Sequence, residues 1–131
     1  MGILWGKDEE PKDEDRVEKL KRLGRTAVED FEPKDGKTFC NLAAHFICEK
    51  FGFHGFKNML ANQMVYRMKN APDFAEVSPA AAQKLANDGR IVLAGIENEP
   101  HGHVAVCQPG AMIYSGKWRE DAPMIANVGK R

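Results

Sequence analysis

Hydrophobic positions in the first part of the chain recur at the spacing of amphipathic helices. Val17, Leu20 and Leu23 share one helical face, which predicts a helix over 13–24. Gly24 is expected to end that helix, because glycine is the preferred residue just beyond a helix C-terminus.

The same rhythm predicts two more helices. One begins with Thr38 as its cap and ends at Gly52. The next covers 57–69, and its expected buried stripe consists of Met59, Leu60, Met64, Val65 and Met68.

The pattern changes from helical to strand-like in the second half of the chain. Ser78 as cap, followed by Pro79, predicts a helix that closes at Gly89. An extended segment precedes that helix, and four strand-like runs follow it, over 90–97, 102–110, 111–118 and 123–129. Helices followed by an antiparallel run of strands indicate an α+β fold, with N-terminal helices packed on a small antiparallel sheet.

Composition narrows the class of protein. The chain has 131 residues, with 19 basic and 19 acidic side chains, so no net field would attract nucleic acid or an anionic membrane. No apolar run approaches the roughly 20 residues that span a bilayer, and the start of the chain does not resemble a signal peptide. We expect a flexible acidic segment over 1–15, a single domain over 16–131, and synthesis in the cytoplasm.

Cys40, Cys48 and Cys107 are too few and too irregularly spaced for a disulfide scaffold. Cys40 falls in the first turn of a predicted helix, where unpaired N–H groups favour a thiolate. His103, on a predicted strand, is the candidate base, and Asn127 is a candidate to orient its imidazole. Cys40 as a small buried hydrophobe is the alternative reading of the same position.

A metal site is a further alternative. His101 and His103 would project from the same side of an extended segment, and Cys40 would supply a third zinc ligand. No carboxylate or further cysteine falls nearby at a ligand-like spacing, so neither a metal nor another cofactor is expected.

Several longer strings carry a family resemblance. They are TFCNLAAHFICEKFG, LANQMVYRM, FAEVSPAAAQKLANDGRIVLAGIENEPHGHVAVCQPG and KWREDAPMIANVGK. Together they resemble the papain-like amidases and peptidases of peptidoglycan, which include CHAP-type and NlpC-related domains of phage lysins and bacterial effectors. The similarity extends over 37–130, and it departs where relatives continue into another strand beyond Arg131.

The resemblance implies a papain-like hydrolase that cuts amide bonds in peptidoglycan peptides. It implies Cys40 as nucleophile, His103 as general base and Asn127 as the orienting residue. Asn41 and His101, next to these positions, are expected to contact substrate, and Trp118 is a candidate to line a groove for a glycan or peptide.

Such an enzyme would act at the cell wall after release or delivery. A phage or secretion component would serve as carrier, and an injecting cell would need an immunity protein.

Two alternatives to a wall hydrolase stay open. The chain is a catalytically silent binding module of a phage or secretion particle, or it is a cysteine acyltransferase with the same triad and a different acceptor.

Overall fold

The computed structural model has an α+β fold, as the order of the sequence patterns predicts. It describes residues 3–8, 10–30, 40–99, 102–110, 113–115, 120–122 and 125–126. The helices are α1 (Glu14–Asp30), α2 (Cys40–Lys50), α3 (Ala61–Asn70) and α4 (Pro79–Asn87). The strands are β1 (Ile3–Lys7), β2 (Phe74–Val77), β3 (Val92–Ile96), β4 (His103–Cys107), β5 (Ile113–Ser115), β6 (Glu120–Ala122) and β7 (Ile125–Ala126).

Five of these strands form one antiparallel sheet. Its order is β2-β1-β3-β4-β7, and β5 and β6 pair separately as a two-stranded sheet. Leu93 on β3 lies opposite Trp5 on β1 and Val106 on β4. These registers place large apolar side chains of three neighbouring strands on the same face of the sheet.

Helices cover both faces of this sheet. Helices α1, α2 and α3 pack on the face that carries Trp5, Leu93 and Val104, and together they form the larger core. Helix α4 packs on the opposite face against Leu4, Val92, Ala94 and Cys107. Strands β3 and β4 are therefore apolar at successive positions rather than at alternate ones.

The predicted flexible segment over 1–15 is wrong for residues 3–7, which form strand β1. This strand pairs with β2 on one side and with β3 on the other, and Trp5 is only 3% exposed. Residues farther along the segment are also held, since Glu10 forms an ion pair with Arg16 at 2.8 Å. The domain boundary expected at residue 15 therefore cuts through a continuous unit. Three consecutive apolar residues, a glycine and then a charge run give no alternating pattern from which to recognise the strand.

Gly24 does not end the first helix. Helix α1 continues to Asp30, and a Cβ added at Gly24 would lie 2.4 Å from Oε1 of Gln108. Gln108 follows β4 and is 8% exposed. The glycine is thus explained by the close approach of a buried side chain to the helix, and not by a helix stop.

The start and the end of α4 confirm the prediction from sequence. Ser78 Oγ accepts a hydrogen bond from the Ala81 N–H at 3.2 Å, and Pro79 occupies the first helical position. Gly89 follows the helix with a φ of 82°, in the left-handed region that glycine adopts without steric cost.

Helix α3 starts later than predicted, at Ala61 rather than at residue 57. The Leu60 N–H donates to Oε1 of Gln63 at 2.7 Å, which satisfies one of the unpaired donors at the helix start. Leu60 precedes the helix and is 66% exposed, so its place in the predicted buried stripe is wrong. Met64, Val65 and Met68 are buried as predicted.

An aromatic cluster fixes the far end of α3 to the sheet. The guanidinium of Arg67 lies 4.9 Å from the ring centroid of Phe53 and 5.8 Å from that of Phe74. It also donates two hydrogen bonds to the Asp73 carboxylate, each at 3.2 Å. A bidentate ion pair beside two aromatic rings fixes the Arg67 side chain in one orientation.

Within the part of the chain that the structure describes, no helix combines the length and the apolar character needed to cross a lipid bilayer.

We expect Gly95→Ala to destabilise the fold by about 1–3 kcal/mol, because α3 lies directly on this glycine. An added Cβ would lie 2.8 Å from Cγ2 of Val65 and 3.3 Å from Cζ3 of Trp5. The free energy of unfolding in urea measures the effect. Gly6→Ala, on the neighbouring strand, is the matched control: its nearest contact is 3.2 Å from Leu85, and its cost should stay within about 1 kcal/mol. Equal losses for the two variants would contradict this account of the packing.

Candidate active site

Cys40 is the first residue of α2, as the sequence predicts for a helix-borne thiol. Its side chain is buried within the larger core, and all three cysteines of the chain are free thiols. Ala43 and Ala44 follow on the buried side of the helix. These small side chains allow the first turn of α2 to pack closely against the core. The backbone N–H groups of this turn have no partner within the helix itself.

Side-chain contacts link the first turn of α2 to the start of α3, and the start of α3 to the segment that leads into β4. The Asn41 side chain donates from Nδ2 to the Met59 carbonyl oxygen at 3.1 Å, which joins α2 to the segment leading into α3. Asn62, in the first turn of α3, exchanges two hydrogen bonds with the backbone of Asn98, at 3.0 and 3.2 Å. A Cβ added at Gly102 would lie 2.1 Å from Oδ1 of Asn62. The start of α3 therefore connects the start of α2 with the residue before His103.

His103 is the first residue of β4 and is half-buried. Side chains alternate along a strand, and Val104 and Val106 belong to the same core as Cys40. His103 therefore points to the other face, with Cys107 of the smaller core. Ile96, which lies opposite His103, is on that face too. The structure thus directs the side chains of Cys40 and His103 to opposite faces of the sheet.

The remaining predicted site residues divide into two groups. Asn41 is half-buried, and its amide is already bonded to Met59, so it holds α2 in place. Asn127, His101 and Trp118 lie outside the described residues. For the zinc alternative, no group of three histidine, cysteine or acidic side chains suited to a metal occurs among the residues that the structure describes.

Burial separates the other two cysteines from any nucleophilic role. Burial raises the pKa of the Cys48 thiol to about 12; the negative charge of Glu10 adds to the increase, and the positive charge of Lys7 opposes it. Burial alone raises the pKa of Cys107 to about 12. Since the thiolate is the nucleophilic form, neither residue can supply it near neutral pH.

No protein-family model, curated protein or solved structure matches this chain. The description of the site therefore depends on its own geometry.

An open groove of about 630 Å³ lies beside the start of α3 and was not anticipated from the sequence. Its lining includes Met59, Gln63, Tyr66 and Asn70. The last three are polar or aromatic and fall three and four residues apart, opposite the buried methionine stripe. This second periodicity is the signal in the sequence for a solvent-facing side of α3, opposite the methionine stripe that indicates its buried side.

We expect the stability of the fold to decline at alkaline pH in part through Cys48. Its pKa is raised in the folded state, so the thiol ionises from about pH 9 in the unfolded chain but only toward pH 12 in the folded chain. The free energy of unfolding is therefore unaffected by this thiol below about pH 9, and it falls as the pH rises from 9 toward 12. Each such thiol steepens the fall of the free energy of unfolding by about 1.4 kcal/mol per pH unit. Cys48→Ala should therefore give a shallower pH dependence than wild type in urea unfolding above pH 9.

Val65→Ala serves as the control for that measurement. Val65 is 2% exposed in the same core, so its truncation lowers the free energy of unfolding but leaves the pH dependence as in wild type. If Cys48→Ala kept the wild-type slope, its thiol would not be the titrating group.

Proposed function

We propose that the protein is a papain-like cysteine hydrolase that cleaves amide bonds in peptidoglycan peptides. The observation that carries the proposal is the series of contacts that links the Cys40 turn of α2 to the start of α3, and the start of α3 to the residue before His103. Cysteine hydrolysis requires a thiol at a position that favours the thiolate and a histidine that takes its proton, and the proposal assigns these roles to Cys40 and His103. The sequence resemblance to wall amidases supplies the substrate class.

In this proposal His103 takes the proton of the Cys40 thiol, and the thiolate attacks the carbonyl carbon of the scissile amide. The C–N bond breaks as the imidazolium gives its proton to the leaving amine, which leaves a thioester on Cys40. Water then attacks the thioester, with His103 as base, and releases the carboxylate and the free thiol. Asn127 is the proposed partner that orients the imidazole.

The backbone N–H groups of the first turn of α2 support this reaction. They have no intrahelical acceptor, and they lie where the positive end of the helix dipole stabilises a thiolate. One of them, from Cys40, is proposed to stabilise the oxyanion. In this proposal the His103 side chain must pass the end of β4 to contact the Cys40 thiol, because it starts from the opposite face of the sheet.

A catalytically silent binding module is the second candidate. Two observations favour it: Cys40 is only 4% exposed, and strand alternation directs His103 away from the face on which Cys40 packs. In such a module Cys40 would be a core residue, and the chain would bind a wall fragment or a particle component without cleaving it.

The rate of iodoacetamide labelling of each cysteine between pH 4 and 9, mapped by mass spectrometry, distinguishes the hydrolase from the binding module. For the hydrolase we expect Cys40 to label with an apparent pKa below about 8 and His103→Ala to raise that value. Cys48 and Cys107 are internal standards that stay unlabelled over this range, because burial raises the pKa of each thiol to about 12.

His54→Ala is the matched control, since His54 is an exposed histidine in the loop after α2. It should leave the Cys40 profile unchanged. Labelling of Cys40 that begins only near pH 9, or a labelling profile that is the same in His103→Ala as in wild type, would overturn the hydrolase proposal and favour the binding module. If labelling supports the thiolate, Cys40→Ala should abolish release of new amines from wall fragments.

A further inference from the structure

One side chain of α3 holds the connection between β3 and β4. Strand β3 ends at Ile96, and β4 begins at His103. Asn62 donates from Nδ2 to the Asn98 carbonyl oxygen at 3.0 Å, and its Oδ1 accepts the Asn98 N–H at 3.2 Å. Because the amide uses its donor and its acceptor on the same residue, it fixes the orientation of the backbone at Asn98.

The same side chain also lies against the other end of this connection. A Cβ added at Gly102 would lie 2.1 Å from Oδ1 of Asn62 and 2.7 Å from the Ile96 carbonyl oxygen. The glycine is therefore explained by the close approach of these two groups to its backbone. Asn62 thus contacts the residue directly before His103.

His103 lies at the junction of this connection with β4. It is the last residue of the pairing between β3 and β4, opposite Ile96, and the described pairing of β4 with β7 covers Val106 and Cys107, farther along the strand. The rest of β4 is buried, whereas His103 is half-buried. A displacement of Gly102 would therefore move His103 directly, while the remainder of the strand stays held in the core.

Two other amides of α3 have a different use. Gln63 accepts the Leu60 N–H through Oε1 at 2.7 Å, and Asn70 donates from Nδ2 to the Tyr66 carbonyl oxygen at 2.8 Å, so each bonds to the backbone of the helix or of its cap. Among the described residues, both side-chain hydrogen bonds of Asn62 leave the helix. The Asn62 amide therefore joins α3 to the connection and does not stabilise the helix itself.

From these contacts we infer that Asn62 is a positioning residue for the proposed hydrolysis. It holds the connection so that the His103 imidazole can pass the end of β4 and take the proton of the Cys40 thiol. Because Asn41 bonds the start of α2 to Met59, just before α3, a contact that fixes the connection to α3 also fixes it relative to Cys40. Asn62 acts through the backbone before His103 and has no chemical role in the reaction. This inference rests on the proposed function and adds a residue to it.

The rate of iodoacetamide labelling of Cys40 in the full chain, measured at about pH 6, tests the inference. We expect Asn62→Ala to lower this rate by about tenfold, because the imidazole is then poorly placed to take the proton. Alanine is the best helix former, so α3 is retained. In the His103→Ala background, Asn62→Ala should cause no further loss, since Asn62 acts only through His103.

Asn70→Ala is the matched control. It removes the same amide from the same helix, but the lost hydrogen bond lies within α3, so the labelling rate should stay as in wild type even where the free energy of unfolding in urea falls. Asn62→Asp is a second test variant, because an acidic residue in the first turn stabilises a helix. Its ionised carboxylate cannot donate to the Asn98 carbonyl oxygen, so it should also lower the rate, and again only when His103 is present.

Three outcomes would overturn the role of Asn62 alone, in a protein whose wild-type Cys40 labels at about pH 6. They are a wild-type rate in Asn62→Ala, an equal loss of rate in Asn70→Ala, and a further loss when Asn62→Ala is added to His103→Ala. If Cys40 of the wild-type chain does not label at this pH, the proposed function fails, and the assignment of Asn62 fails with it.

Discussion

Strand β1 is the constraint on which the rest of the structure depends. It lies between β2 and β3, so its backbone hydrogen bonds join segments that are otherwise separated by α4. Each face of the strand contributes to one core: Trp5 belongs to the larger core and Leu4 to the smaller core. Without this strand, β2 would have no partner in the sheet, and Trp5 and Leu4 would be lost from the two cores.

The position of α3 follows from the sheet below it. Gly95 on β3 has no side chain, and the side chains of Val65 and Met68 occupy the space above it. Because α3 lies this close to the sheet, its opposite side presents Gln63, Tyr66 and Asn70 to solvent. The same helix thus supplies core residues on one face and lines the open groove on the other.

Much of the fold could be predicted from local sequence signals. Ser78 and Pro79 predicted the start of α4, and the strands after Gly89 were recognised from their apolar runs. What failed depends on contacts between distant segments. Gly24 has the sequence signature of a helix stop, yet it is explained by Gln108. Strand β1 is recognisable only through its pairing with segments about 70 and 90 residues away.

The site shows a similar limit. The sequence placed Cys40 correctly at the start of a helix and His103 at the start of a strand. It could not say which face of the sheet His103 takes, because helices cover both faces and β4 is buried at Val104, Ala105, Val106 and Cys107 alike. A strand buried on both sides carries no alternation from which a face can be read.

The pairing of Ile3 with Gly95 has a consequence for biosynthesis. Strand β1 leaves the ribosome long before β2 and β3, at a synthesis rate of about 5–20 residues per second. For several seconds its apolar side chains, Trp5 among them, have no sheet to join. The apolar residues of β1 therefore stay without their native partners until those segments emerge. Strand β1 can pair with β3 along its whole length only after residue 96 has left the exit tunnel.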